Sequence, residues 1–183
     1  DISENHEQFT PERRPFGNAG IMIARKVFTS NGKAQYDGKF KTLADVLIDE
    51  RDVPPEFYIP GDELESWRAA KDAKDIPRTS KDGYEYTYSE GKMAFPDSLG
   101  KPSRTIVTGE GGKSVSRFKH VIKTDSGKYR RLTPVELEKL NMFPPDWTEG
   151  ALDTKRAFLM GNALVVGVVK KLAKFLYLNS NQK

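Results

Sequence analysis

Hydrophobic and polar positions follow three rhythms along this 183-residue chain, and each predicts a different kind of element. After an irregular opening, residues 1 to 20, the run Ile21 to Thr29 reads as a strand, and Asn31-Gly32 suits a hairpin turn because both residues tolerate positive φ. From Thr42 to about Glu50 the rhythm becomes helical, with Leu43, Val46 and Leu47 on one face, Thr42 as cap and Asp45 three residues on. Val53-Pro54-Pro55 ends that helix, and Phe57 to Pro60 is extended. Asp62 is expected to cap a second helix reaching about Ala73, with Leu64 and Trp67 at helical spacing and Trp67 as a core anchor. At Tyr84, Tyr86 and Tyr88 the period drops to two, which puts three rings on one face of a strand. At least two of them are expected to pack on a neighbouring strand. Ser89 to Lys92 reads as a turn or loop, and Lys101 to Thr108 as a further strand entered through Pro102.

The second half is more sharply punctuated. Gly109-Glu110-Gly111-Gly112 is too glycine-rich to continue regular structure and marks a place where backbone approaches a ligand closely. It lacks the spacing and the Lys-Ser/Thr ending of a nucleotide phosphate loop. Thr133 and Glu136 form a capping box with Pro134 at the first helical position, so a short helix runs from Pro134 to about Asn141. A last helix is expected from about Ala163 to Tyr177, started by Asn162. Its residues Leu164, Val165, Val168, Val169, Leu172, Phe175 and Leu176 exceed what the local structure can cover. Such a helix predicts a docking surface supplied from outside, and the whole pattern predicts a mixed α/β (α+β) chain.

Composition narrows the chemistry. The hydrophobic fraction is 37% and there is no cysteine, which excludes disulfides and suits a reducing compartment. With His6 and His120 as the two histidines, a structural zinc site is excluded as well. The longest apolar run is interrupted by Lys170, Lys171 and Lys174, and the polar opening is no signal peptide, so a cytoplasmic protein is expected. Charge is uneven: residues 1 to 100 hold 14 basic and 19 acidic side chains, residues 101 to 183 hold 16 and 7. Residues 101 to 131 alone carry Lys101, Arg104, Lys113, Arg117, Lys119, Lys123, Lys128, Arg130 and Arg131 against Glu110 and Asp125. A stripe of that density, interleaved with glycine, serine and threonine, suits contact with phosphates.

Two segments carry a family resemblance. Arg131, Leu132, Thr133, Pro134 and Glu136, followed by Phe143-Pro144, resemble the Arg-x-Leu-Thr-x-x-Glu and Gly-Phe-Pro-Asp motif of DNA cytosine-5 methyltransferases, with Met142 in place of the Gly and Pro145 before Asp146. Gly161-Asn162-Ala163 and the apolar run after it resemble the family's final motif, with Gly167 where a Pro is usual. Thr105-Ile106 and the glycine-rich stretch beyond resemble the DNA-contacting loop of the family's target recognition domain. The family's cofactor loop, its Pro-Cys nucleophile loop and two further strand motifs are missing.

The resemblance implies a target recognition domain over residues 1–129 and closing motifs over residues 130–183, the last helices packing on a catalytic domain that lies elsewhere. It implies methyl transfer from S-adenosylmethionine to C5 of a flipped cytosine within a specific duplex sequence, in a restriction-modification setting. The attack needs a cysteine thiolate, so this chain alone is expected to be inactive. The chain is expected to be a fragment of a longer enzyme or the smaller subunit of a split one, and a start at Asp1 instead of Met favours a fragment. Expected DNA contacts are Ser89, Arg104, Thr105, Ile106, Gly109, Gly111, Gly112, Lys113, Arg117 and Lys119, with Glu90 as a further polar reader. Arginines are favoured for guanine edges and lysines for phosphates. Asn162 and Ala163 are expected at the cofactor's edge, and Arg131, Thr133, Pro134 and Glu136 as scaffold. The competing expectations are a DNA-binding or specificity module with no enzymatic role, and an interaction domain whose basic stripe binds an acidic protein.

Overall fold

The computed structural model describes residues 16–33, 35–36, 38–112, 114–115 and 119–180. Its chain divides into two compact units, residues 1–39 and 40–183. In the first, β1 (Ala19–Ile23) and β2 (Lys26–Ser30) form an antiparallel hairpin in which Ile23 faces Lys26. The strand expected over Ile21–Thr29 is therefore two strands. The turn falls at Ala24 and Arg25, whose φ angles of 46° and 64° are both positive, the two-residue geometry that matches strand twist. Asn31-Gly32 is not the turn: the Asn18 side chain pairs with Gly32, Oδ1 accepting from its N–H at 2.8 Å and Nδ2 donating to its carbonyl at 2.7 Å.

The second unit is a mixed α/β body of short antiparallel strand pairs and helices. The Thr42 element is a single tight turn over Leu43–Val46, its capping box closed by Asp45, and it buries Leu43 and Val46. α1 (Leu64–Ala69) is shorter than expected and starts beyond Asp62, after a tight turn over Gly61–Glu63. β3 (Lys74–Thr79), unforeseen because it is polar and contains Pro77, pairs with β4 (Glu85–Glu90). A two-stranded ribbon is all edge, and edges tolerate proline. Ser89 and Glu90 end this strand rather than forming a loop, and Tyr84 and Tyr86 stay exposed at 71% and 41%, so of the three rings only Tyr88 packs on the neighbouring strand, against Arg78, where at least two were expected to.

β5 (Val121–Lys123) and β6 (Tyr129–Arg131) lead into α2 (Pro134–Leu140), followed by α3 (Asp153–Asn162) and α4 (Val166–Ser180). The boundary expected at 129/130 falls within β6. One core joins Leu43, Val46, Ile106, Ile122, Leu132, Leu137, Ala157 and Met160, and a second joins Ile59, Trp67 and Val121. α2 ends on Met142, whose φ of 61° lets Met142 N donate to Lys139 O and Phe143 N to Glu138 O, the paired bonds of a Schellman cap. That is the position where glycine was expected. The Asn141 side-chain amide then donates to Met160 O at 2.7 Å, while the Asn141 backbone carbonyl accepts from Val166 N at 2.9 Å. This one buried residue thus ties the end of α2 to the end of α3 and the start of α4.

Candidate nucleic-acid interface

The capping box of α2 sits inside a larger buried pair. Glu136 accepts from Thr133 N at 2.8 Å and from the Arg130 guanidinium at 2.8 Å through both oxygens, and it also takes Ile48 N at 3.0 Å. The scaffold arginine is thus Arg130, not Arg131. The spacing Arg-x-Leu-Thr itself points to Arg130, and its 2% side-chain exposure agrees. Arg131 instead donates to Glu56 O at 2.8 Å and lies over the Phe57 ring. It edges a groove of about 1040 Å³ that also takes in Glu56, Glu63, Glu110 and Asp153. Four carboxylates against one guanidinium make that groove unsuited to phosphate. Glu138 was missed in the sequence because a helix-surface glutamate looks solvated. It is buried, accepting from Thr148 N at 3.0 Å and Arg156 Nη2 at 2.9 Å.

The segment Ser103 to Gly112 is extended and then turned, without a strand partner; the strand expected over 101–108 does not form. Its neighbours Leu99 and Lys101 give their carbonyls to Ala44 N at 3.0 Å and Leu43 N at 2.9 Å, so the backbone serves a helical turn and not a sheet. Thr105 is exposed, whereas Ile106 is a core residue at 7% exposure and anchors the loop from inside. Arg104 donates from Nε to Asp97 Oδ1 at 3.0 Å, and Asp97 Oδ2 accepts from Val121 N at 2.9 Å. The guanidinium assigned to base reading is held by the fold.

Beyond Thr105 the loop is clamped from below. Glu110 Oε1 accepts His120 N at 2.5 Å and meets His120 Nδ1 at 2.8 Å, and His120 Nε2 lies 2.9 Å from Ser103 Oγ. This serine–histidine–carboxylate line has the order of a hydrolase relay, but His120 is fully buried and Ser103 Oγ donates to Arg104 O at 2.9 Å. It fastens both ends of the loop. Lys119, expected at a phosphate, is 1% exposed and its ammonium donates to the carbonyls of Gly112 and Ser114. Lys71 donates in turn to Lys119 O; burial, aided by the Arg104 charge, lowers its pKa to about 8. Lys113 and Arg117 lie outside the described residues.

The glycines explain how this loop meets the final motif. A Cβ on Gly161 would stand 2.6 Å from Val107 C and Thr108 N, and one on Gly111 would stand 2.6 Å from Ala157 Cβ. The loop backbone therefore rests directly on α3. Gly109 needs no such room, Gly112 is half-buried beside Lys119, and Ser89 is exposed on β4. Asn162 does not start a helix. It lies in the last turn of α3, with Nδ2 donating to Phe158 O at 2.9 Å, and Ala163 follows as the C-cap.

The structure thus brings together a capped helix with a buried arginine–glutamate pair, a glycine-fastened loop and a Gly-Asn-Ala turn before a long helix. The structure of the Entamoeba histolytica methyltransferase EhMeth shares the fold, with a TM-score of 0.51 and 18% identity over 83% of this chain and 45% of that one. Residues 22–177 match the model of the C-5 cytosine-specific DNA methylases, and the chain belongs to that family. It is 41% identical over 172 residues to the type II methyltransferase M.Sau3AI of Staphylococcus aureus, covering 94% of this chain but 39% of that relative. The chain thus spans well under half the length of the curated relative it matches. Among the described residues no helix is long and apolar enough to cross a membrane.

Proposed function

We propose that this chain is the target-recognition and closing portion of a DNA cytosine-5 methyltransferase of a restriction-modification system. Residues 1–129 belong to recognition and 130–183 to closure onto the catalytic domain. The observation that carries this reading is the last helix. Leu172, Phe175 and Leu176 are 59%, 66% and 67% exposed, and Leu164 just before the helix is 75% exposed, an apolar surface that calls for a second body. With no cysteine in the chain, the thiolate that adds to the base comes from that body. The loop from Thr105 to Gly112, resting on α3 through Gly161, links the DNA-facing side to the closing motifs, so duplex and catalytic domain are held in one register. Flipping a cytosine costs a few kcal/mol, which loop contacts to the opened duplex offset.

S-adenosylmethionine supplies the electrophilic methyl group when bound. The turn at Asn162 and Ala163 fits one edge of its pocket: Asn162 is exposed and its amide oxygen has no partner among the described residues. The test is methyl transfer from radiolabelled S-adenosylmethionine to duplex DNA. The chain alone should give none, and activity should appear when the catalytic domain is added. Leu172→Asp places a charge in the docking face and should abolish both co-purification and activity. Transfer by the chain alone, or co-purification that survives Leu172→Asp, would overturn the reading. DNA binding without any gain of transfer on adding the catalytic domain would point to the non-catalytic specificity module.

A further inference from the structure

The hairpin of β3 and β4 carries side chains that the loop and scaffold leave unused. Register pairs Lys74 with Glu90, Ile76 with Tyr88 and Arg78 with Tyr86, so these six share one face. Tyr84 joins them, its ring stacked on Tyr86 at 6.4 Å between centroids. The opposite face holds Asp75 with Ser89, Pro77 with Thr87 and Thr79 with Glu85. Among the described residues neither strand pairs with a third, and all of β3 is exposed. The ribbon therefore presents Lys74, Ile76, Arg78, Tyr84 and Tyr86 as an exposed face, with Tyr88 and Glu90 half-buried beside them.

Arg78 is the informative residue on it. Its guanidinium carbon lies 4.2 Å from the Tyr88 ring centroid, and among the described residues it makes no hydrogen bond or ion pair. Stacking fixes the guanidinium plane while leaving its N–H edge available. Every other described arginine from residue 40 onward has an acceptor: Asp49 for Arg51, Glu65 for Arg68, Asp97 for Arg104, Glu136 for Arg130, the Glu56 carbonyl for Arg131 and Glu138 for Arg156. Arg78 is the one whose donors are oriented and unspent.

Charge sorting indicates what meets this face. Lys74 and Arg78 stand with Glu90 on the tyrosine side, while Asp75 and Glu85 lie on the other. Ile76 is the sole aliphatic side chain on the tyrosine face, in contrast to the leucines and valines that α4 exposes for docking on protein. A two-stranded ribbon also fits the roughly 12 Å width of a major groove. We propose that the tyrosine face of this hairpin lies against duplex DNA and that Arg78 reads a guanine, donating two N–H groups to its O6 and N7. The inference rests on the DNA-recognition reading above and adds a specificity residue on an element outside the glycine-rich loop.

The test selects duplexes from a randomised library with the chain and compares wild type, Arg78→Ala and Arg78→Lys. Wild type should enrich a sequence. Both variants should lose preference at one guanine position and bind the selected duplex about ten- to a hundredfold more weakly, while Arg78→Lys keeps wild-type affinity for a scrambled duplex. Full retention of preference by Arg78→Lys would show a phosphate contact, and by Arg78→Ala a face turned to protein or solvent; either result overturns this inference alone. If the wild type enriches no sequence, the DNA-recognition reading fails and this inference fails with it.

Discussion

Arg130 and Arg131 stand side by side in sequence and do opposite things. Arg130 and Glu136 are both buried, and each is the other's compensation for leaving water. Arg130→Ala strands a buried carboxylate and should cost about 3–5 kcal/mol, whereas Arg131→Ala loses one hydrogen bond and a ring contact, about 1 kcal/mol. Urea unfolding of the two variants distinguishes them, and equal losses would return the scaffold role to Arg131. Lys71 carries a pH signature. Its folded pKa of about 8 lies below the ordinary 10.5, so between those values the unfolded chain binds more protons and stability rises with pH. Lys71→Met removes the buried charge and should flatten most of that rise in urea midpoints taken from pH 7 to 10.5. A smaller slope remains from Lys119, which burial also lowers. An unchanged slope in Lys71→Met would mean that the ammonium is not desolvated.

Elements were legible where their signals were local. The box of Thr133 and Glu136 spans three residues and announced α2 with its cap and length, whereas Thr42 and Asp45 marked only a start: the helix expected to about Glu50 is a single turn over Leu43–Val46. The β1–β2 turn was misplaced because Ala24 and Arg25, ordinary residues, hold the positive φ that Asn31-Gly32 advertises. α3 went unread, since Asp153–Asn162 has a weak apolar stripe and owes its place to Ala157 and Met160 in the core. It also moved the start of the last helix from Ala163 to Val166. Gly161 marks the contact between α3 and the loop. Gly161→Ala drives a Cβ into the backbone of Val107 and Thr108 and should destabilise by about 1–3 kcal/mol. Denaturation of that variant checks it, and wild-type stability would mean that the loop does not rest on α3.

At the scale of the molecule, the sequence by itself determined the family, the mixed α/β class, the capped helix and the apolar excess of the C-terminal helix. These are written in residue types at short spacing, where capping and periodicity act within one turn. It also showed a basic second half, but not which cations reach the surface. Of the nine basic residues in 101 to 131, Lys119 and Arg130 are buried, Arg104 is paired with Asp97 and Arg131 with the Glu56 carbonyl. Only the tertiary structure decided this: Arg131 finds its acceptor 75 residues away at Glu56, and the acceptors of Arg104, Lys119 and Arg130, five to seven residues off, reach them only because the chain turns back on itself. A charge count cannot distinguish a cation spent on such a partner from one left for a ligand; burial and hydrogen-bond geometry do, and they show Arg104 held by Asp97 while the guanidinium of Arg78 rests on a tyrosine ring.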